Sequence, residues 1–155
     1  MQQKTLVLGL GNPLLGDDGV GIEIVRALKQ EDLDAEFEET NSSGFEVAEK
    51  MLGYERVFVV DAIAGRVAGR VHFFGIEDLK PTIHFTSPHD TNIQTAIEFL
   101  RTHSEFPKTV KFVGVEIIPN PEFREGLSKD VKEAIPEAKK IILKELRGGI
   151  LNENR

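Results

Sequence analysis

Residues 6–21 read LVLGLGNPLLGDDGVG, an apolar run followed by a glycine-rich turn and two adjacent aspartates. The apolar run predicts a buried strand over Thr5–Leu10, and apolar residues at helical spacing after the turn predict a helix over residues 20–29. A strand, a glycine turn and a helix in this order form the first unit of an α/β fold. Such turns usually bind phosphate, yet Asp17 and Asp18 would repel an anion, so the turn favours a cation instead.

The rest of the chain continues the alternation of strands and helices. Arg56–Val60 reads RVFVV, a β-branched run typical of a central parallel strand that is buried on both faces. Arg70–Phe74 follows a short turn and favours an antiparallel neighbour. Further strands are predicted over Ala35–Thr40 and Thr109–Ile118, and further helices over Gly44–Leu52, Thr91–His103 and Ser128–Leu146. The sequence therefore predicts a single-domain, three-layer α/β/α sandwich over residues 1–155, with a mostly parallel, five-stranded twisted sheet.

The last predicted helix contains residues that disfavour helical structure. Pro136 is expected to break or kink it, because proline has no backbone N–H to donate. Gly148 and Gly149 are expected to close the helix, and the tail LNENR is expected to fray.

The composition argues against several classes of function. The 155 residues carry a formal net charge of −7, and the lysines and arginines do not cluster, which argues against binding to nucleic acid or to an anionic membrane. The chain has no cysteine, which excludes disulfides, thiol nucleophiles and thiolate metal sites. The apolar run near the N-terminus leads into a glycine turn and charge, so it predicts neither a signal peptide nor a membrane span. We therefore expect a cytoplasmic protein.

Polar side chains stand where the predicted parallel strands end, and ligands of such sheets bind beyond those carboxyl ends. Asn12, Asp17 and Asp18 follow the first strand, Asp61 follows the central strand, and His89 precedes a helix in HFTSPHD. If Asp18, Asp61 and His89 converge, a divalent metal removes the repulsion between the two carboxylates. Carboxylate oxygens with an imidazole nitrogen suit nickel, zinc or iron, and three protein ligands leave coordination positions open.

Each of these residues also has a structural interpretation. Asp18 could cap the helix that follows, Asp17 could cap or belong to the loop, and Asp61 could hydrogen-bond a turn. His89 could be an ordinary polar loop residue. The other three histidines, His72, His84 and His103, are expected to be structural, and the serines lack the elbow motif of a hydrolase nucleophile.

The blocks LVLGLGNPLLGDDGVG, VVDAI, SPHD and EFPKTVKFVGVEIIP, in this order and spacing, resemble the hydrogenase maturation endopeptidases. The resemblance covers most of the chain, from about Leu6 to Leu143. It implies removal of a C-terminal peptide from a [NiFe]-hydrogenase large-subunit precursor after nickel has been inserted. The partner is then that precursor, and the metal is nickel carried by the substrate rather than bound permanently, although other divalent ions can occupy the site. The catalytic group stays open, with direct attack by water favoured, and so does the oligomeric state, with a monomer favoured.

The same resemblance places the family's nickel ligands on Asp18, Asp61 and His89, with Asp18 where many members have glutamate. A glycine-rich segment common in the family corresponds to EETNSSGF here, with Glu39 in place of its aspartate and Gly44 retained. Asn12, Asp17, Glu39 and Gly44 are therefore expected to position the substrate.

Two alternatives remain at this point. A nickel-sensing chaperone would bind the same precursor through the same ligands without cleaving it. The opening GLGNP also resembles peptidyl-tRNA hydrolases, but that family continues with Thr-Arg-His-Asn where this chain has Gly-Asp-Asp-Gly, and it needs a basic surface.

Overall fold

The computed structural model describes residues 4–42, 44–79, 93–120, 122 and 124–153. The strands are β1 (Thr5–Leu10), β2 (Glu36–Thr40), β3 (Arg56–Ala64), β4 (Val71–Gly75) and β5 (Thr109–Ile117). The α-helices are α1 (Val20–Lys29), α2 (Gly44–Lys50), α3 (Ile93–His103) and α4 (Lys129–Glu153). Short 3-10 helices cover Gly16–Gly19 and Ile76–Asp78.

The strands form one sheet in the order β2-β1-β3-β5-β4. Strand β1 lies parallel to β2 and β3, β3 lies parallel to β5, and β4 alone pairs antiparallel, with β5. This confirms the predicted five-stranded, mostly parallel sheet and the antiparallel strand near residue 72. It also puts the carboxyl ends of four neighbouring strands at one edge, where an α/β fold collects its ligands.

Two apolar cores lie on opposite faces of the sheet, which confirms the three layers. One core joins the sheet to α2 and α3 through residues such as Val47, Met51 and Ile97. The other joins it to α1 and α4, whose buried side chains include Ile24 and Ile142. The central strand contributes alternate residues to both faces, as expected for a strand covered on both sides.

Glycine allows α1 to approach the sheet closely. A Cβ atom on Gly21 would lie only 2.3 Å from the Val60 carbonyl oxygen and 2.6 Å from the Leu10 carbonyl oxygen. Both atoms belong to the sheet backbone, which cannot rotate away. The first turn of α1 therefore lies directly against the carboxyl end of β1 and the middle of β3.

Strand β3 is longer than the sequence pattern suggests. Asp61 was expected to follow the strand, but it lies inside β3, which continues to Ala64. The reason is the ladder with β5, which runs from Arg56 opposite Thr109 to Ala64 opposite Ile117. Pairing with a neighbour therefore overrides the polar residue that marks the end of the local apolar run.

The prediction for the end of the last helix was wrong. Helix α4 passes through Pro136 and continues beyond Gly148 and Gly149 to Glu153. Proline removes one hydrogen bond but the helix keeps buried residues before and after it, such as Ala134 and Ala138, so packing outweighs the local cost. Glycine lowers helix propensity by about 1 kcal/mol per residue but permits helical angles. Within the described residues no helix is long and apolar enough to cross a membrane.

Candidate functional site

Two of the predicted site residues, Asp18 and Asp61, lie in neighbouring segments of the fold, the turn after β1 and strand β3. Gly9 of β1 lies opposite Val60 of β3, so the turn that follows β1 begins beside Asp61. Asp61 in turn lies opposite Gly114 of β5. Asp18 and Asp61, although 43 residues apart in the chain (61 minus 18), thus belong to neighbouring segments of the same edge.

Asp18 is buried, with 6% of its surface exposed, and is held by the turn after β1. Its Oδ2 atom accepts a hydrogen bond of 2.9 Å from the Asn12 backbone N–H. The N-cap position of α1 is Gly19, one residue later. Gly11, with φ of 136°, permits the close approach, because a Cβ there would lie 2.1 Å from the Asp18 carbonyl oxygen. The backbone of Asp18 therefore lies very close to Gly11, the residue that directly follows β1.

Asp61 is the most deeply buried of the carboxylates predicted for the site, with 1% of its surface exposed. Its Oδ1 atom accepts a 2.7 Å hydrogen bond from the Ala62 backbone N–H. Because side chains alternate along a strand, Asp61 shares the face of Val59 and Ile63, which is the face covered by α2 and α3. Gly114, which lies opposite Asp61, has no side chain, and the Ile63 side chain fills the space that a Cβ atom on Gly114 would occupy.

Two buried carboxylates at one edge constitute an unusual choice of residues, because burying a charge is costly unless binding or hydrogen bonding compensates. Carboxylate oxygens are suitable donors to a divalent cation. The third predicted donor, His89, lies outside the described residues. Among the residues that the structure describes, no group of three or more His, Asp or Glu side chains could hold an ion.

Asp17 and Asn12 organise the turn itself. The two Asp17 carboxylate oxygens accept hydrogen bonds from the Ser128 backbone N–H (2.6 Å) and hydroxyl (2.8 Å), which ties the turn to the start of α4. The Asn12 Oδ1 atom accepts from the Leu14 N–H at 3.0 Å. These two side chains therefore shape the loop that carries Asp18.

Glu39 and Gly44 lie on the β2 side of the same edge. Glu39 of β2 is level with Gly9, but its carboxylate makes a two-pronged ion pair with the Arg26 guanidinium of α1, the shortest contact being 3.0 Å. This directs it to the face opposite that of Asp61. Gly44 begins α2 with φ of 49°, a conformation that favours glycine.

The sequence analysis did not single out Glu116, a buried residue of β5. Its carboxylate accepts hydrogen bonds from the Val67 and Arg66 backbone N–H groups and lies 2.9 Å from Nε2 of His72. These bonds, led by the one from Val67, lower the pKa of Glu116 below its ordinary value. The available signal was a carboxylate inside the mostly apolar run TVKFVGVEII. Glu116 thereby connects the β3–β4 turn to β5, and His72 of β4 is its side-chain partner.

Comparisons with known proteins agree on one family. The family model described as hydrogenase maturation protease matches residues 22–145. Protein FrxA of Pyrococcus furiosus is 36% identical over 142 residues, covering 87% of this chain and 99% of that protein. The hydrogenase 2 maturation protease of Escherichia coli is 31% identical over 150 residues, covering 93% of this chain and 91% of that protein.

A solved structure extends the similarity to the fold. The hydrogenase maturating endopeptidase HybD from E. coli superposes with a TM-score of 0.77 at 29% sequence identity. The superposition covers 94% of this chain and 93% of that one.

Proposed function

The chain belongs to the hydrogenase maturation protease family, and from this premise we propose that it removes the C-terminal extension of a nickel-loaded [NiFe]-hydrogenase large-subunit precursor. The observation that supports this most directly is the pair of buried carboxylates, Asp18 and Asp61, at one edge of the sheet. In this proposal they bind the nickel that the precursor brings, together with His89. The metal belongs to the substrate.

The three donors would act first by positioning. A precursor held through its metal presents the peptide bond in a fixed pose, so an encounter between two proteins becomes effectively intramolecular. The chain holds Asp18 firmly for this task, since the Asn12 N–H fixes one carboxylate oxygen. The Asp17 contact to Ser128 fixes the surrounding turn.

The chemistry we propose is direct hydrolysis. The oxygen of a water molecule attacks the carbonyl carbon, the C–N bond breaks, and the proton of the water passes to the departing amine. The absence of cysteine and of a serine elbow motif supports direct attack over an acyl-enzyme. A Lewis-acidic ion in the precursor would polarise the carbonyl or lower the pKa of the water.

The test is to incubate the protein with nickel-loaded and nickel-free precursor and to weigh the products by mass spectrometry. We expect loss of a C-terminal peptide from the nickel-loaded precursor and none from the nickel-free one. Cleavage of both at the same rate would contradict recognition through nickel. Binding of the loaded precursor without any loss of mass would identify a nickel-sensing chaperone instead.

Variants locate the metal donors. Asp61→Asn keeps the shape of the side chain but removes its charge, and His89→Ala removes the imidazole. Both should lower the cleavage rate by at least about a hundred-fold, the scale of losing a positioned catalytic contact. His103→Ala is the matched control, because His103 is an exposed residue at the end of α3 that contacts the Phe99 ring and carbonyl. Normal cleavage by Asp61→Asn or His89→Ala would remove that residue from the donor set.

A further inference from the structure

The loop that follows β5 is fastened to the turn that carries Asp18. The Gly16 N–H donates to the Arg124 carbonyl oxygen at 2.7 Å, and the Arg124 N–H donates to the Leu14 carbonyl oxygen at 3.0 Å. Leu15 and Arg124 thereby form an isolated parallel bridge. With the Asp17–Ser128 contact, the turn and the loop are joined by both backbone and side-chain hydrogen bonds. Two segments far apart in the chain thus form one stable wall.

A cavity of about 250 Å³ lies between these segments, and we call it the β5-edge pocket. Most of its exposed lining is apolar and comes from the turn and from the end of β5, whereas polar groups come from Asp17, Asp18, Asn120, Glu122 and Arg124. The apolar lining residues are Leu15, Ile117, Ile118 and Pro119. Ile118 is 59% exposed, so the pocket is reached from solvent.

The size of the pocket limits what it can bind. A cavity of roughly 150 Å³ holds one benzene molecule, so the β5-edge pocket has room for a single bulky side chain and some of its backbone. The lining has polar groups, but its exposed surface is mainly apolar, so an apolar side chain gains more by burial there than a charged one, whose desolvation is costly. Leucine, isoleucine, methionine and phenylalanine fit this description.

The position of the pocket identifies where that side chain comes from. Asp18 lines the pocket and is also one of the proposed nickel donors. A precursor whose metal is held at Asp18 therefore has the residues next to its metal site within reach of the pocket. We propose that the β5-edge pocket binds one bulky apolar side chain of the precursor near the bond that is cleaved, and thereby sets the specificity of cleavage. This inference rests on the proposed function.

The test compares two variants on the nickel-loaded precursor. Ile118→Asp puts a carboxylate on an exposed wall of the pocket, and Phe73→Asp makes the same kind of change at a position in the middle of β4 that does not line the pocket. We expect Ile118→Asp to lower kcat/KM by about ten-fold or more, mainly through KM, since losing one apolar contact in a specificity pocket costs 10- to 200-fold. Ile118→Leu should retain the wild-type value. Phe73→Asp should remain within about two-fold of the wild type.

Alanine substitutions in the precursor identify the bound side chain. Alanine at one position of the precursor should lower kcat/KM about ten-fold with the wild-type protease. The same substitution should lower it less than two-fold with Ile118→Asp, because that variant has already lost the contact. Equal cleavage by the wild type and Ile118→Asp, or the absence of such a coupled position, overturns the pocket assignment alone. A wild-type protein that leaves the loaded precursor intact overturns the proposed function, and the pocket assignment with it.

Discussion

Replacing Gly21 by alanine tests the close contact between α1 and the sheet. A new Cβ would lie 2.3 Å from the Val60 oxygen and 2.6 Å from the Leu10 oxygen. Comfortable contacts are about 3.5 Å, so the helix must shift by roughly 1 Å. Overpacking of this kind costs about 1–3 kcal/mol and occasionally more. Both oxygens belong to the backbone, so we expect the upper end even after the gain in helix propensity, which is about 1 kcal/mol.

The matched control is Gly148→Ala, because Gly148 also lies in a helix but a Cβ there would meet nothing within 4 Å. The same chemical change should stabilise by about 0.5–1 kcal/mol at this position. Urea unfolding and thermal unfolding, both followed by circular dichroism, measure the stability of both variants. For Gly21→Ala we expect a melting temperature lower by about 6–12 °C. If Gly21→Ala unfolds at the same urea concentration as the wild type with an unchanged slope, the tight approach of α1 is wrong.

Three other substitutions have measurable outcomes. Asp17→Ala removes two charge-assisted hydrogen bonds to Ser128 and should cost about 2–3 kcal/mol in urea unfolding, with Asp17→Asn losing roughly half as much; equal stability of all three proteins would contradict this. Backbone hydrogen bonds lower the pKa of Glu116, so its contribution to stability is full above its ordinary pKa and is lost as the pH falls through the lower folded value. Wild-type urea midpoints should therefore fall below about pH 5, and those of Glu116→Gln should fall less, whereas parallel curves would refute this assignment. Glu39→Gln weakens an exposed ion pair with Arg26 and should change the unfolding free energy by less than about 1 kcal/mol, so a marked effect of this variant on precursor binding would indicate contact with the substrate.

The sheet could be predicted because its signals are local. The run before Asp61 and the strand Thr109–Ile117 are β-branched and apolar, which identifies buried parallel strands without reference to the rest of the chain. The end of β3 could not be predicted, because four further residues from Asp61 to Ala64 are held by their ladder with β5. The end of α4 was missed because Gly148 and Gly149 were expected to end the helix, although glycine permits helical angles and lowers helix propensity by only about 1 kcal/mol per residue.

The sequence predicted the position of Asp18 in the turn after β1 but not that of Asp61, which lies inside β3 rather than after it. The rule on carboxyl ends predicts that Asp18 and Asp61 lie close together, and the structure shows that both are buried in neighbouring segments. The rule does not predict the face of the sheet on which a side chain lies. Glu39, for example, pairs with Arg26 of α1 and therefore lies on the face opposite that of Asp61. The β5-edge pocket was beyond sequence analysis, because it arises from hydrogen bonds between Gly16 and Arg124, which are 108 residues apart (124 minus 16).

Burial changes how the aspartates of the turn should be interpreted. An exposed aspartate before a helix needs no explanation beyond capping, since that position satisfies free N–H groups. Asp17 has a structural role of this general kind, because its two carboxylate oxygens accept hydrogen bonds from the backbone N–H and the hydroxyl of Ser128. Asp18 and Asp61 are buried, where a charge costs free energy unless hydrogen bonds or a bound cation compensate for it, and they lie near the edge at which α/β folds bind ligands. Residues that break the local rules of packing at such an edge are expected to be retained for chemistry, and for this reason we propose that these two carboxylates bind the metal of the precursor.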